Sequence, residues 1–195
     1  LLDLEAHGLK EALKGDPVLA LAGGHDHSGM EAVSLNEGAL RDWLAQDQAV
    51  SAFAVAAQFA TRNPSHEQRV TQIIQEVTGQ PVSASHHLSS KLNGPKRALT
   101  ALLNARLIGL THKLIGRAEG ILLEIGINAP LMVVRGDGAL ISAAMAKERP
   151  IETILSGPAA SIVGARWLTG LDYALVSDIG GTTTDIALLR DGRPK

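Results

Sequence analysis

The chain has 195 residues, of which 45% are hydrophobic, and its 18 basic and 20 acidic side chains leave a formal net charge of −2. This balance creates no field that attracts a polyanion, and an aromatic content of 3% offers few platforms for base stacking, so we expect no nucleic acid partner. The absence of cysteine excludes disulfides and thiolate catalysis and favours a cytoplasmic location.

The first 90 residues alternate short apolar runs with segments of helical period, which predicts an α/β subdomain of β-α-β-α-β order over residues 1–90. The predicted elements are a strand over 18–22, a helix capped by Asn36, a strand over 50–56, a helix between Asn63 and Gly79, and a strand over 81–84. The chain opens within helical periodicity at Leu1, Leu2 and Leu4, so we expect an internal piece of a longer polypeptide.

Residues 91–170 form the second predicted region, after a domain boundary that we place near residues 85–95. The predicted elements are a helix over 96–124 that stops before Gly126, a strand over 131–134, a helix over 141–147, and a helix that begins near Ser156. The apolar stretch over 99–125 is interrupted by charges such as Arg106 and Lys113, so we expect no membrane partner.

The last predicted region, 171–195, contains strands over 174–177 and 186–189 with a polar loop between them. We expect the turn at Asp191 and Gly192 to lead into a strand that lies beyond the chain. The region is therefore predicted to be the truncated start of a second half of the fold.

The loop over residues 178–185 reads Asp-Ile-Gly-Gly-Thr-Thr-Thr-Asp and is predicted to be the tight turn of a β-hairpin. Adjacent glycines remove side chains from the apex, so backbone N–H groups can converge on an anion, and threonine hydroxyls add donors for phosphate oxygens. The predicted cradle consists of Gly180, Gly181, Thr182, Thr183 and Thr184. The alternative interpretation is an ordinary glycine-rich hairpin.

Two aspartates flank this loop and would repel phosphate unless a cation lay between them. Hard oxygen ligands beside phosphate are what Mg²⁺ prefers, usually with several waters retained. We therefore predict that Asp178 and Asp185 hold Mg²⁺ mainly through water. Asp178 is also the predicted catalytic residue, which holds such a water or acts as a base toward a nucleophile in line with the terminal phosphate.

Two motifs together carry a family resemblance. The pattern Asp-x-Gly-Gly-Thr-x-Thr-Asp over 178–185 resembles the phosphate motif of the sugar kinase/heat-shock chaperone/actin superfamily. Together with the upstream segment Pro-Ile-Glu-Thr-Ile-Leu-Ser-Gly-Pro-Ala-Ala over 150–160, it resembles the central region of the hydantoinase A/oxoprolinase family. Shorter matches over 62–67, 97–104 and 134–138 extend this resemblance over most of the chain.

The resemblance implies a fold with ribonuclease-H-like, actin-like ATPase elements, of which the chain spans parts of two subdomains. It implies ATP and Mg²⁺ as cofactors, with 178–185 as the second phosphate loop and 156–165 as a connecting helix near the hinge. The implied activity is ATP-dependent hydrolysis of a C–N bond in a cyclic amide, with a small-molecule substrate and a hydantoinase B-type partner subunit. Neither a first phosphate loop nor an adenosine-binding segment is visible, so we expect this piece to be inactive alone.

Two further residues are candidates for the substrate side of the site. His66 owes this role to the family resemblance only. Asp137 follows a predicted buried strand, which is where open α/β sheets place ligands, although an ordinary turn residue is an equally good interpretation.

Histidine pairs are weaker candidates for a metal site. His25 and His27 follow a Gly-Gly turn, and His86 and His87 end another predicted strand. Adjacent residues of an extended segment point to opposite faces, so at most His25 and His27 share a side, and a polar loop is the simpler interpretation.

The residues leave three alternative functions open. The first is a ketone carboxylase subunit of the same family. The second is a small-molecule kinase in which Asp178 activates a substrate hydroxyl, and the third is a nucleotide-controlled regulatory module that binds ATP with slow turnover. A phosphorylated product would identify the kinase, and substrate-independent turnover would identify the module.

Overall fold

The computed structural model describes residues 8–46 and 49–194, and the chain divides into two compact units. Unit 1 ends at Leu110 and unit 2 begins at Thr111. Each unit contains both helices and strands, in agreement with the predicted α/β class. The predicted boundaries near residues 90 and 170 stay a prediction, and the leucine pattern at residues 1–4 lies outside the described residues.

Unit 1 is built around a parallel β-α-β unit. Its elements are α1 (Leu9–Leu13), β1 (Gly24–His25), β2 (Glu31–Val33), α2 (Glu37–Leu44), β3 (Phe53–Val55), α3 (Ser65–Thr78), β4 (Val82–Ala84) and α4 (Ser85–Leu88), followed by α5 (Gly94–Glu124), which continues into unit 2. Strands β3 and β4 pair in parallel, with Phe53 opposite Val82, and α3 connects them. Strands β1 and β2 form a separate antiparallel pair.

The predicted helix cap at Asn36 is confirmed, because Asn36 Oδ1 accepts a hydrogen bond from the Ala39 N–H at 3.0 Å. The cap predicted at Asn63 is wrong by one residue: α3 begins at Ser65 with Pro64 in the cap position, and Asn63 Oδ1 accepts a local bond from the Ser65 N–H at 3.0 Å. Helix α3 stops before Gly79, whose φ of 66° is the left-handed conformation that glycine adopts without steric cost.

The predicted strand over 18–22 is wrong, because this part of the described chain forms no ladder. Its apolar residues are instead used for packing: Leu19 and Leu21 lie against the core, and the Ala22 carbonyl accepts from the Asn36 N–H at 3.0 Å. The core itself consists of Leu40, Leu44, Phe53, Val70, Ile73 and Ile74. Alternate residues of an extended segment can pack on a core without strand pairing, so the apolar pattern alone does not establish a strand.

Unit 2 combines two antiparallel sheets with short helices. Its elements after α5 are β5 (Met132–Val134), β6 (Leu140–Ser142), α6 (Ala143–Glu148), a 3₁₀ turn (Pro150–Thr153), α7 (Ser156–Thr169), β7 (Ala174–Ile179), β8 (Thr184–Arg190) and β9 (Arg193–Pro194). Strands β5 and β6 form one hairpin, and β7, β8 and β9 form a second sheet in that order. No helix among residues 8–46 and 49–194 has the length and apolar character needed to span a membrane.

Two local predictions in unit 2 need correction. The helix predicted from residue 141 begins at Ala143, because residues 140–142 pair with β5, and Ser142 caps the helix by accepting from the Met145 N–H at 3.2 Å. The strand expected beyond the turn at residues 191–192 is already present as β9, in which Arg193 lies opposite Arg190.

The turn between β5 and β6 packs tightly because it contains two glycines. A Cβ atom at Gly136 would lie 2.4 Å from the carbonyl oxygen of Ile154, and one at Gly138 would lie 2.7 Å from Val163 Cγ2. The Gly136 N–H also donates to the Glu152 carbonyl at 3.0 Å. These contacts hold the turn against α7 and the segment that precedes it.

Candidate functional site

The predicted hairpin at residues 178–185 is confirmed. Strands β7 and β8 pair from Ala174 opposite Leu189 to Ile179 opposite Thr184. The connecting turn is closed by a hydrogen bond from the Gly180 N–H to the Thr183 carbonyl at 2.9 Å. Residues 177–186 are all exposed, so the whole tip of the hairpin is accessible from solvent.

Gly181 forms an open apex at this tip. A Cβ atom built there would meet no atom within 4 Å, whereas one at Gly180 would lie 3.2 Å from the Thr183 carbonyl oxygen. Within the described residues, no backbone carbonyl accepts from the N–H groups of Gly181 or Thr182. The apex therefore offers free backbone donors and exposed hydroxyls, which is the donor set that an anion-binding nest requires.

The two aspartates that flank the turn lie directly opposite each other, because Asp178 pairs with Asp185 across the strands. Side chains of directly paired residues share one face of a sheet, and like charges in this position are destabilising. A donor comes from α7: Ser161 Oγ donates to Asp178 Oδ2 at 2.5 Å.

These carboxylates supply the hard oxygen ligands that suit Mg²⁺, whose remaining positions water and phosphate can fill. Within residues 8–46 and 49–194 there is no group of three histidine, cysteine or acidic side chains that could hold a metal by itself. A cation at the tip would therefore need water or phosphate for its remaining positions, and the Mg²⁺ site at Asp178 and Asp185 stays a prediction. For the same reason, the metal site considered at His25 and His27 gains no support.

Asp137 lies in the tight turn between β5 and β6, where it forms a two-point contact with Arg135. Arg135 Nε donates to Asp137 Oδ1 at 3.1 Å and Nη2 donates to Oδ2 at 2.5 Å, and the Ala139 N–H adds a bond to Oδ1 at 3.0 Å. Two contacts lower the pKa of Asp137 below its usual range. The larger effect comes from the Arg135 guanidinium, and the smaller one comes from the hydrogen bond of the Ala139 N–H. Much of the hydrogen-bonding capacity of the Asp137 carboxylate is thus taken up within its own turn. The role of Asp137 on the substrate side stays a prediction.

His66 lies in the first turn of α3 and belongs to a small polar cluster with His25, Ser65 and Glu31. Its ring centroid is 4.3 Å from that of His25, and His25 Nε2 is 3.1 Å from Ser65 Oγ. His66 Nε2 lies 3.9 Å from a Glu31 carboxylate oxygen, and its buried Nδ1 has no hydrogen-bond partner among the described residues. Burial, and then the neighbouring His25, lower the pKa of His66.

A buried polar network in unit 1 was not predicted. Glu67 and Arg97 are 1% and 2% exposed, and the Glu67 carboxylate accepts from the Ala57 N–H, Ser85 Oγ, the His86 N–H and His86 Nδ1 at 2.6–3.0 Å. Arg97 donates to backbone carbonyls, including that of Ala57 at 2.5 Å. The burial of Glu67 could have been predicted from helical spacing. Glu67 precedes the buried Val70 and Ile74 of α3 by three and seven residues, which places all three on the same face of the helix.

Comparisons with known proteins give two family matches, to the hydantoinase/oxoprolinase N-terminal region over residues 2–78 and to hydantoinase/oxoprolinase over residues 97–195. The chain is 29% identical over 152 residues to the caprolactamase subunit alpha of Pseudomonas jessenii, covering 76% of this chain and 22% of that protein. It is 29% identical over 188 residues to the acetophenone carboxylase gamma subunit of Aromatoleum aromaticum, covering 91% of this chain and 25% of that protein.

Among solved structures, a nucleotide-free acetone carboxylase from work on ATP-dependent acetone carboxylation superposes with a TM-score of 0.73 at 28% identity, covering 88% of this chain and 25% of that chain. The chain thus spans about a quarter of the length of these relatives. Together the two family matches extend over most of its residues. This chain is a member of the hydantoinase/oxoprolinase family.

Proposed function

We propose that this chain carries one phosphate-binding loop of an ATP-dependent enzyme that hydrolyses the C–N bond of a cyclic amide. The observation that carries the proposal is the exposed hairpin tip over residues 178–185, which combines an open glycine apex with two carboxylates on one face. Family membership adds support, since one relative is a caprolactamase subunit. The ATP-dependent reaction belongs to the whole protein, of which this chain is a part.

Each group at the tip has a proposed role. Backbone N–H groups of Gly181 and Thr182 and the hydroxyls of residues 182–184 bind phosphate oxygens, whereas the Gly180 N–H closes the turn by donating to the Thr183 carbonyl. Asp178 and Asp185 hold Mg²⁺, mainly through its water ligands. Asp178 would also orient the nucleophile that accepts the phosphoryl group, which is the amide when ATP activates it. ATP, when bound, supplies the phosphoryl group that activates the amide for hydrolysis.

The architecture that accompanies this role is actin-like. We propose that β7, β8, β9 and α7 are ribonuclease-H-like elements of one half of the ATPase, and that residues 1–90 belong to a neighbouring subdomain. The antiparallel order of the three strands and the position of the phosphate loop at the first hairpin support this assignment. The location of the whole protein is proposed to be cytoplasmic.

On the substrate side we propose His66, with Asp137 as a second candidate. His66 supports this role because its lowered pKa favours a neutral imidazole at neutral pH, and its buried Nδ1 lacks a partner among the described residues. A neutral imidazole donates or accepts a hydrogen bond, which suits the N–H and C=O groups of a cyclic amide. A hydantoinase B-type subunit is the proposed partner, in line with the subunit names of the relatives.

A ketone carboxylase subunit is the second candidate function. The similarity to the acetophenone carboxylase gamma subunit covers 91% of the chain, and one of the solved relatives is an acetone carboxylase. Both candidates use the hairpin tip in the same way and differ in the molecule that ATP activates.

The test is ATP hydrolysis by the full-length protein with its partner subunit, with and without a hydantoin, 5-oxoproline, caprolactam, or a ketone plus bicarbonate. We expect a cyclic amide to stimulate turnover and Asp178→Ala to lower that turnover by about 100-fold or more. The exposed Asp42→Ala on α2 serves as the matched control and should behave as the wild type. A ring-opened amino acid identifies the hydrolase and a carboxylated ketone identifies the carboxylase, whereas undiminished turnover in Asp178→Ala refutes the site.

A further inference from the structure

Ser161 is one residue of α7 that reaches the hairpin tip. We propose that it is a positioning residue for Asp178, and that its hydroxyl sets the strength with which the site holds a divalent cation. This inference rests on the proposed function of the tip. It concerns a side chain that the loop motif does not contain.

The contact between Ser161 and Asp178 joins a packed helix, α7, to the exposed end of a strand, β7. Ser161 Oγ donates to Asp178 Oδ2 at 2.5 Å, a distance typical of a charge-assisted O–H···O bond. Ser161 is half-buried, and its neighbours on α7, Ala159 and Ile162, are only 3% and 4% exposed. Packing of the helix therefore fixes the hydroxyl, whereas Asp178 lies on an exposed strand end.

An exposed aspartate on a strand samples several side-chain rotamers, and only some of them present an oxygen to a ligand above the turn. The bond from Ser161 anchors Oδ2 and leaves Oδ1 with its full acceptor capacity. The carboxylate is thus held in one orientation before a cation arrives, and less conformational freedom is lost on binding.

Asp178 and Asp185, which lie opposite each other on β7 and β8, differ in the hydrogen bonds that they accept. Within the part of the chain that the structure describes, Ser161 provides the only side-chain hydrogen bond to Asp178, and Asp185 accepts no side-chain hydrogen bond. One carboxylate of the pair is therefore preorganised and the other is free to rotate. Of the two carboxylates proposed to hold the cation, Asp178 is therefore the one whose orientation is fixed in advance.

The experiment compares Ser161→Ala, Ser161→Thr and Ser177→Ala in the full-length protein. Ser177 is a matched control, because it precedes Asp178 on β7 and its side chain lies on the opposite face of the strand. Two quantities are measured for each variant: the Mg²⁺ concentration that gives half-maximal ATP turnover, and the calorimetric affinity for ADP at fixed Mg²⁺.

We expect Ser161→Ala to raise the half-saturating Mg²⁺ concentration and weaken Mg²⁺-dependent ADP binding by about threefold to tenfold, as for loss of a hydrogen bond to a charged group near solvent. Ser161→Thr keeps the hydroxyl and should stay within about twofold of the wild type, and Ser177→Ala should match it. The melting temperature should be equal in all four proteins.

Two results would overturn the inference. One is a Ser161→Ala protein with the same Mg²⁺ dependence as Ser177→Ala. The other is an equal shift in the alanine and threonine variants together with a lowered melting temperature, which indicates a purely structural role. Asp178→Ala keeps the two proposals distinguishable: if it retains turnover, the function fails, and if it loses turnover while Ser161→Ala is unaffected, only the role of Ser161 fails.

Discussion

Glu67 in unit 1 and Asp178 in unit 2 are both carboxylates, yet their surroundings are opposite. Glu67 is 1% exposed, and four hydrogen bonds from Ala57, Ser85 and His86 fill the roughly four acceptor sites of its oxygens. Asp178 is exposed and accepts one side-chain bond, from Ser161. A carboxylate whose acceptor capacity is filled by the protein stabilises the fold, whereas one with capacity left over is available to a ligand.

The largest effect is expected from Glu67→Gln, which keeps the volume and replaces one acceptor oxygen by a donor. Because backbone and hydroxyl donors then face an amide N–H, we expect unit 1 to lose about 3 kcal/mol of its free energy of unfolding. Hydrogen exchange in the full-length protein measures this as lost protection of the Ala57 and His86 amides.

Glu76→Gln is the control for this prediction, because Glu76 lies on the same helix with a half-exposed side chain and pairs with Arg41 at 3.5 Å. Exposed pairs of this kind contribute little, so exchange should be nearly unchanged. Equal protection in the two variants would show that the buried network does not hold unit 1 together.

The second-largest effect is expected on nucleotide binding, from Gly181→Val. A Cβ atom at Gly181 would meet no atom within 4 Å, so the fold should tolerate the branched side chain at the open apex. We expect ATP affinity to fall by about tenfold or more, because the side chain fills the space that we propose for a phosphate.

Gly116→Ala is a suitable control, because this glycine of α5 also faces open space but lies far from the motif in sequence. Calorimetric titration with ATP at fixed Mg²⁺ gives the affinity, and circular dichroism checks the fold. Unchanged affinity in Gly181→Val would refute the phosphate cradle.

The smallest effect is a pH dependence that arises from His66. Burial lowers the pKa of His66 from its ordinary value of 6.5, so the folded state binds fewer protons than the unfolded state in this range. Its contribution to stability is therefore complete above pH 6.5 and is lost as the pH falls through the lowered pKa. His66→Gln should flatten the decline in stability between about pH 7 and pH 5, measured by thermal unfolding, whereas the exposed His27→Gln should retain it.

The sequence predicts well those features that depend on neighbouring residues. The cap at Asn36 and the hairpin around Gly180 each arise from short-range chemistry, and the structure confirms them. The phosphate role of that hairpin stays a prediction.

Features that depend on distant partners were not predictable in the same way. Leu19 and Leu21 of the run over 18–22 pack against the core without strand pairing, and β6 forms because residues 140–142 pair with β5. The bond from Ser161 to Asp178 requires α7 to lie beside β7, and no spacing in the sequence encodes that contact. Arg97 is buried because carbonyls of residues 57 and 58 converge on it from a separate segment.

The alternation of side chains along β7 limits how this region can gain or lose residues. Asp178 faces Ser161, whereas Leu175 and Ile179 lie on the opposite face. One residue inserted within the strand would turn the carboxylate to the far side and bring a serine or an apolar residue under α7, whereas two inserted residues would restore the original phase. We therefore expect insertions and deletions that preserve the site to involve two residues within β7, or to fall in the turn before it.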